Sequence, residues 1–462
     1  MIKFNTIASI TVLPLLTLSS CTQKKTQEKP NIIFLLTDDQ RWDALGAAGN
    51  QIIETPNLDI LANNGVMFQN SYVTTAICCC SRASILTGQY VSRHGINSFQ
   101  QDFSEEQVNQ TYPLLLKEKA GYKIGFIGKY GIGLEEHPAD KFDYWTCEKV
   151  YQPNYEGKDA NNEYLHYTDK VKSDILNFLD IYSDSGAFCL SVSFKAPHVE
   201  DGDPRQFIYH PRYKDLFKET LIPVPETAAP EYWDKFPADF KTNNEARNRW
   251  DIRFSTPEKY QESVKGYYRL IKGVDDVVGE MRRKLEEKEI SENTIIIFMG
   301  DNGFYLSEHG MAGKWYAHEE SLRVPFIIYN PRYNESQKGK KIQKMALNID
   351  VAPTILSLAG IEVPEDMQGE SVLPIIADEA SSWRTDFFYE HTIEIPTIPK
   401  SRAIVTEEYK YIEYPELESG FKEFYDRVND PKEKYNLISD PRYSELIGHY
   451  SVRLDSLMYS VQ

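Results

Sequence analysis

The sequence predicts an α/β protein: a three-layer α/β/α sandwich on a large mixed, mostly parallel sheet, followed by a small C-terminal α+β subdomain with an antiparallel sheet. Three observations lead there. Short apolar runs, several rich in β-branched residues, recur along the chain, and each ends in polar or ionisable residues, as expected of strands buried on both faces of a parallel sheet. Segments of helical periodicity lie between them. From about Ser382 the pattern changes to short strands separated by polar turns, closed by a helix.

Residues 1–21 read as an export signal, with Lys3 as the only charge, an apolar stretch, and small residues before Cys21. Residues 22–29 are polar and charged, a tether to the domain that follows. The first strand, Asn31 to Leu36, runs into Thr37-Asp38-Asp39. Two adjacent carboxylates at the carboxyl end of a buried strand sit where open α/β sheets bind ligands, and their mutual repulsion asks for a cation. In Cys78-Cys79-Cys80-Ser81-Arg82, three cysteines precede a helix expected to open at Ala83 to Leu86, with its N-terminal amides turned toward them. An anion would sit there. A structural zinc site would need further Cys or His at short spacing, and a disulfide framework needs well-separated partners.

Three more runs repeat the pattern. Ile124 to Gly128 leads to Lys129, Phe188 to Phe194 leads to Lys195-Ala196-Pro197-His198, and Thr294 to Gly300 leads to Asp301-Asn302-Gly303. Four such ends suggest one common face. Glu262 to Ile290 carries Val264, Tyr267, Tyr268, Ile271, Val274, Val278, Met281 and Leu285 at near-helical spacing. Asp350 to Ala359 reads as another helix, with Asp350 as N-cap and Pro353 in the first turn. The stretch from Asp201 to Pro257 is long for a plain connection and favours a functional insertion. Trp233, Arg247, Arg249, Trp250 and Arg253 either line a lid over a substrate or pack on the surface. Thr385 to Tyr389, Ser401 to Thr406 and Tyr409 to Tyr414 read as strands, and Tyr443 to Met458 as the closing helix. The main domain is expected over residues 30–381 and the subdomain over 382–462.

A formal net charge of -18 argues against a general grip on nucleic acid or anionic membrane, which needs surplus Lys and Arg. An anionic substrate must then be held by a local basic pocket. No run after the signal approaches the length of a membrane helix. The cysteines outside the triplet and the signal, Cys147 and Cys189, form the one well-separated pair.

The motif Cys78-x-x-Ser81-Arg82-x-x-x-x-Thr87-Gly88 resembles the signature of the formylglycine-dependent (type I) sulfatases of the alkaline-phosphatase-like superfamily. The resemblance implies that Cys78 is oxidised by a formylglycine-generating maturation enzyme to an aldehyde whose hydrate is the nucleophile. It implies one calcium ion held by Asp38, Asp39, Asp301, Asn302 and an oxygen of the Cys78-derived hydrate; magnesium satisfies the same oxygen donors. Arg82 matches the arginine that holds the hydrate, Lys129 the lysine of a Gly-Lys motif, His198 the histidine of a Pro-His motif, and Lys314 a sulfate-binding lysine. Glu319-Glu320-x-x-Arg323-Val324-Pro325 matches a segment read as structural support. Arg402 to Thr406, Lys410-Tyr411 and Phe424-Tyr425-Asp426 resemble the small C-terminal subdomain of sulfatases.

Two positions depart from that pattern. Cys80 stands where the family has Pro or Ala, and Gly131 where many members have histidine. His309, in Ser307-Glu308-His309-Gly310, is the candidate to supply the missing group or to contact the sugar. By the resemblance, the hydrate attacks sulfur while His198 or Lys314 protonates the leaving oxygen. The motifs are most similar to those of enzymes that remove 6-sulfate from N-acetylglucosamine units of glycosaminoglycans, so the expected partner is a sulfated carbohydrate. Leu18-Ser19-Ser20-Cys21 resembles a bacterial lipobox, which implies a lipid anchor on Cys21 and a periplasmic or outer-membrane location; an ordinary cleaved signal is the plainer reading. The alternatives are a phosphate or phosphonate ester hydrolase of the same superfamily, or a non-catalytic glycan-binding lipoprotein if Cys78 stays a thiol.

Overall fold

The computed structural model describes residues 1–2, 28–150 and 152–462, so the export signal and Cys21 lie outside the described residues. The first strand, β1 (Asn31–Asp38), is buried along its whole length. Its side chains alternate. Ile32, Phe34 and Leu36 enter one core, Ile33 and Leu35 the other, which is the physical content of an unbroken apolar strand sandwiched between two helical layers.

Around β1 stand β2 (Val66–Phe68), β3 (Lys123–Gly128), β4 (Tyr144–Trp145), β5 (Phe188–Pro197), β6 (Thr294–Gly300), β7 (Phe326–Tyr329) and β8 (Lys340–Ile342). The sheet order is β8-β2-β7-β6-β1-β5-β3-β4. β7 runs antiparallel to both its neighbours and every other pairing in this sheet is parallel, so the sheet is mixed and mostly parallel. On one face lie α1 (Pro56–Asn64), α4 (Tyr167–Tyr182) and α6 (Pro257–Glu287); on the other lie α2 (Cys78–Thr87), α3 (Tyr112–Ala120) and α7 (Val351–Leu358). Between α4 and α6 the inserted stretch carries α5 (Glu245–Arg253), capped by the Asn244 side chain.

The antiparallel sheet β9 (Asp386–His391), β10 (Ser401–Thr406), β11 (Tyr409–Glu413) and β12 (Lys422–Asp426) follows in simple sequential order, with α8 (Ser444–Ser460) against it. Phe387, Tyr389, Ile404 and Tyr411 join the same apolar core as α2, so this sheet closes one side of the main domain. No helix among the described residues is long and apolar enough to cross a membrane.

Several elements differ from the sequence reading. α2 begins at Cys78 and not near Ala83: the Ser81 N–H already donates to the Ile77 carbonyl at 2.9 Å, so the cysteines form the first turn. α6 starts at Pro257, where the Thr256 hydroxyl caps the Lys259 N–H and proline fits the first position. Asp350 occupies the N-cap position of α7, but its side chain makes no capping hydrogen bond. Its carboxylate accepts the Leu347 N–H at 2.7 Å and the Arg384 guanidinium. β7 and β12 are strands that the sequence reading leaves unassigned. Among the described residues Cys147 and Cys189 are free thiols and do not pair with each other.

Candidate active site

Parallel register brings the four strand ends together. Thr37 on β1 pairs with Gly300 on β6, so Asp38-Asp39 and Asp301-Asn302 leave the sheet side by side. Gly128 on β3 pairs with Ser193 on β5, which sets Lys129 beside the segment leading to His198. Gly128 has a φ of +94°, and a β-carbon there would lie 2.0 Å from the Ser193 carbonyl oxygen. Only glycine permits that approach, and it lets the Lys129 N–H donate to the same oxygen at 2.8 Å. Above the edge, α2 presents Cys78 at its first position.

The charged groups meet in alternating pairs. Cys78 Sγ lies 3.3 Å from Asp38 Oδ1, and Lys314 Nζ lies 3.2 Å from the same sulfur. Lys129 Nζ holds Asp38 Oδ2, and Lys314 Nζ holds Asp39 Oδ1. Arg82 donates from Nε to Asp301 Oδ2 at 2.9 Å and from Nη1 to the Lys129 carbonyl at 2.7 Å and to Ser193 Oγ. Asn302 Nδ2 donates to Asp39 Oδ1 at 2.7 Å. His198 Nε2 stands 3.5 Å from Asp39 Oδ2, while its Nδ1 faces the Val199 carbonyl at 2.7 Å.

Burial sets the protonation pattern. It would raise Asp38, but the charges of Lys129 foremost, then of Arg82 and Lys314, hold that carboxyl well below the usual range. Asp39 is raised by burial against the pull of Lys314. Asp301 is pushed up to about 7 by burial and by the neighbouring Asp38. Burial pulls His198 well below the ordinary imidazole value, which keeps it neutral. Burial pulls Lys314 down as well, yet Asp39 and its neighbours raise it and keep the ammonium charged. Burial and Asp38 push the Cys78 thiol up.

The donor set fits a hard divalent cation. Asp38, Asp39, Asp301 and Asn302 offer oxygens only, and Asn302 Oδ1 is buried without a hydrogen-bond partner among the described residues. Oxygens of Asp38 and Asp39 also lie within 4.8 Å of Cys78 Sγ and a His198 ring nitrogen.

Over this floor opens a cavity of about 910 Å³, reached by Cys78, Lys129, His198 and Lys314. Phe99, Leu134, Trp315, Ile395 and Ile398 give it an apolar side; Gln152, Asn154, Asp201, Glu245 and Arg249 give it a polar one. Of the five insertion residues singled out in the sequence, only Arg249 lines the cavity. Its guanidinium lies 5.0 Å from the Trp315 ring centre and is tied to Glu245 at 2.8 Å. Arg247 stacks on Trp250 and Trp233, and Arg253 is buried against Gln206 and Asp201. His309 is not brought to the cavity. It is buried, stacked on His318 at 4.7 Å, with Nε2 4.0 Å from Glu320. The missed rim residues Gln152, Trp315, Ile395 and Ile398 lie in irregular segments, where no period marks them. Ser193 had a signal, because a hydroxyl inside a buried apolar strand needs a partner.

Buried cations and carboxylates that converge on one side chain at a helix start, on the strand-end edge of an α/β/α sandwich, define a hydrolase of anionic esters. The pattern of the Sulfatase family matches residues 30–361, and that of the N-sulphoglucosamine sulphohydrolase C-terminal region matches residues 307–460. The chain belongs to the sulfatase family and is a sulfuric ester hydrolase. An N-acetylglucosamine-6-O-sulfatase of Bacteroides thetaiotaomicron is 30% identical over 510 residues, covering 95% of this chain and 88% of the relative. The human N-acetylglucosamine-6-sulfatase is 27% identical, covering 80% of this chain and 70% of the relative. A solved structure described as a complex with its substrate D-glucosamine-2-N,6-O-disulfate superposes with a TM-score of 0.78 at 26% identity, over 94% of this chain and 98% of that one. A phosphonate monoester hydrolase from Silicibacter pomeroyi shares the fold, with a TM-score of 0.77 at 20% identity over 94% and 96% of the two chains.

Proposed function

We propose that this sulfatase removes 6-O-sulfate from N-acetylglucosamine-type units of sulfated carbohydrate, with Cys78 converted to formylglycine and calcium held by Asp38, Asp39, Asp301 and Asn302. The observation that carries the reading is Cys78 itself, on the floor of an open cavity with Lys314 Nζ at 3.2 Å and Asp38 Oδ1 at 3.3 Å. The names of the relatives support the substrate. Calcium would neutralise negative charge beside the nucleophile, and the hydrated aldehyde would supply that nucleophile.

The chain's own groups do the rest. Arg82, fixed by Asp301, Ser193 and the Lys129 carbonyl, backs the nucleophile and keeps Asp301 oriented. Lys129 and Lys314 attract and orient the sulfate oxygens. Lys314, its ammonium 3.2 Å from Cys78 Sγ, is the donor to the leaving oxygen, and neutral His198 lines the same cavity beside it. The apolar side of the cavity suits the carbon face of a sugar and an acetyl methyl, and Arg249, Asn154 and Gln152 suit its hydroxyls. We also infer export with a lipid anchor at Cys21, at the periplasmic or outer-membrane surface; the anchor predicts lipid labelling that Cys21→Ala abolishes.

The test joins two measurements on one preparation. Mass spectrometry of the Cys78 peptide is expected to show the aldehyde, and sulfate release is expected to be faster from 6-sulfated N-acetylglucosamine than from its 3-sulfated isomer. A preparation that releases sulfate with Cys78 as an intact thiol would sink the proposed nucleophile, and faster turnover of a phosphonate ester would shift the assignment to that chemistry.

A further inference from the structure

We infer that the chain whose Cys78 is still a thiol holds one zinc ion, through Cys78 Sγ, His198 Nε2, Asp38 Oδ1 and Asp39 Oδ2. This site is distinct in chemistry from an all-oxygen calcium site, and its test needs no sulfate ester.

The four residues are buried and their ligand atoms all lie within 4.8 Å of one another. Zinc takes sulfur, imidazole nitrogen and carboxylate oxygen in tetrahedral sets, and with bonds of about 2.0–2.3 Å neighbouring ligand atoms stand roughly 3.3–3.7 Å apart. Two such edges are already present: Cys78 Sγ to Asp38 Oδ1 at 3.3 Å, and His198 Nε2 to Asp39 Oδ2 at 3.5 Å. A sulfur and an imidazole among two carboxylate oxygens is the borderline-soft set that favours zinc over calcium.

The far end of each nitrogen or oxygen ligand is tied down. His198 Nδ1 faces the Val199 carbonyl at 2.7 Å, which places the ring proton on Nδ1 and leaves the Nε2 lone pair directed at the carboxylates. Gln152 also reaches Nδ1 at 2.7 Å; its amide oxygen, buried without a partner among the described residues, meets that N–H when the amide is turned over. Asp38 keeps its other oxygen on Lys129, and Asp39 keeps its other oxygen on Lys314 and Asn302. Ligand oxygens fixed from behind by cations and amides, and a histidine fixed by a carbonyl, are the outer contacts of protein metal sites. Cys78 and His198 both line the open cavity, which gives the ion its entry path.

Binding exchanges one proton for the metal. The Cys78 S–H bond breaks, its proton leaves to solvent, the sulfur lone pair forms the bond to zinc, and nothing is oxidised or reduced. Once Cys78 becomes an aldehyde the sulfur is gone, and the oxygens of Asp38, Asp39, Asp301 and Asn302 dominate. Maturation therefore changes which metal the same pocket prefers.

The experiment uses the full chain produced without conversion, with the thiol verified by the mass of its Cys78 peptide. Cadmium, a spectroscopic probe for zinc, is expected to bind at one ion per chain with the ultraviolet charge-transfer absorption of a cadmium thiolate. Zinc should remove that absorption and millimolar calcium should not. Cys78→Ser should lose the absorption, and the Cys79→Ala/Cys80→Ala double variant should keep it. His198→Gln should weaken zinc binding on the order of 100-fold, with folding checked by circular dichroism. Absorption that persists in Cys78→Ser, zinc affinity unchanged in folded His198→Gln, or displacement of zinc by millimolar calcium would each overturn the inference.

Discussion

Gly131 offers a sharp test of how the site is packed. Its φ is +74°, and a β-carbon there would lie 2.9 Å from Arg82 Cδ, 3.3 Å from Arg82 Nε and 3.3 Å from Lys129 Cε. Arg82 cannot retreat cheaply, because its guanidinium is held by Asp301, Ser193 and the Lys129 carbonyl. For Gly131→Ala the left-handed backbone costs about 1–2 kcal/mol. Overpacking against a pinned side chain adds about 1–3 kcal/mol. A stability loss of about 2–5 kcal/mol is expected in chemical unfolding. If Arg82 moves instead, a displacement near 1 Å is expected to lower turnover about 100-fold. Gly131→His, although it restores the residue many sulfatases carry, should do worse on both counts. Unfolding and sulfate release measured on the same samples separate the two routes. A Gly131→His variant with wild-type stability and equal or faster turnover would refute the account of Gly131 as the residue that makes room for Arg82.

A chelator should abolish sulfate release and calcium restore it, whereas Asp301→Ala should stay inactive at any calcium concentration; recovery of that variant would remove Asp301 from the proposed ligand set. His309→Asn, chosen because asparagine tolerates the φ of 54°, should lose stability from the broken stack on His318 and keep turnover within a few-fold. A turnover loss beyond about 100-fold, the scale of a general acid, would return His309 to the chemistry. His94 and His391 are both buried and pulled by burial to about 3, against an ordinary value of 6.5. The unfolded chain therefore binds more protons between those values, and stability falls as pH drops below 6.5. At a pH one unit lower, each costs about 1.4 kcal/mol, and His391→Phe should make the decline in unfolding midpoint shallower. Cys80→Pro should fold normally, because Cys80 lies in the first turn of α2, before the first intrahelical N–H bond of that helix, at Ser81; an unfolded variant would contradict that helix start.

The strand ends were legible because a strand buried on both faces must be apolar throughout, so the first polar residue after it marks the sheet edge. Asp38, Lys129, His198 and Asp301 all follow such runs, and parallel register does the rest. The start of α2 was harder to read. Three cysteines carry no helical preference, and what makes them helical is the core that buries Cys79 and Cys80. His309 misled for a related reason. In Ser307-Glu308-His309-Gly310 the φ values of 91° at Ser307 and 54° at His309 turn the ring inward, and no side-chain pattern announces a backbone turned by tertiary packing. The rim of the cavity draws on loops from distant parts of the chain, among them Ile395 and Ile398 beyond β9, which only the closed fold brings beside Cys78.

The net charge of -18 and the anionic substrate are reconciled at short range. Arg82, Lys129 and Lys314 are each buried and each set on a carboxylate, so the site carries its positive charge already desolvated and oriented. Inside a low-dielectric pocket such charges act on a sulfate far more strongly than surface lysines do in water. The same pairing explains why the carboxylates tolerate burial: removing Lys314, for example, leaves buried Asp39 without its ammonium partner, a cost of several kcal/mol. A divalent ion among Asp38, Asp39 and Asp301 would take over part of that neutralisation and free the lysines to face the ester. On the proposed calcium reading the two cation sets would be alternatives for the same carboxylates, and a bound metal would turn the lysines from those carboxylates toward an anion.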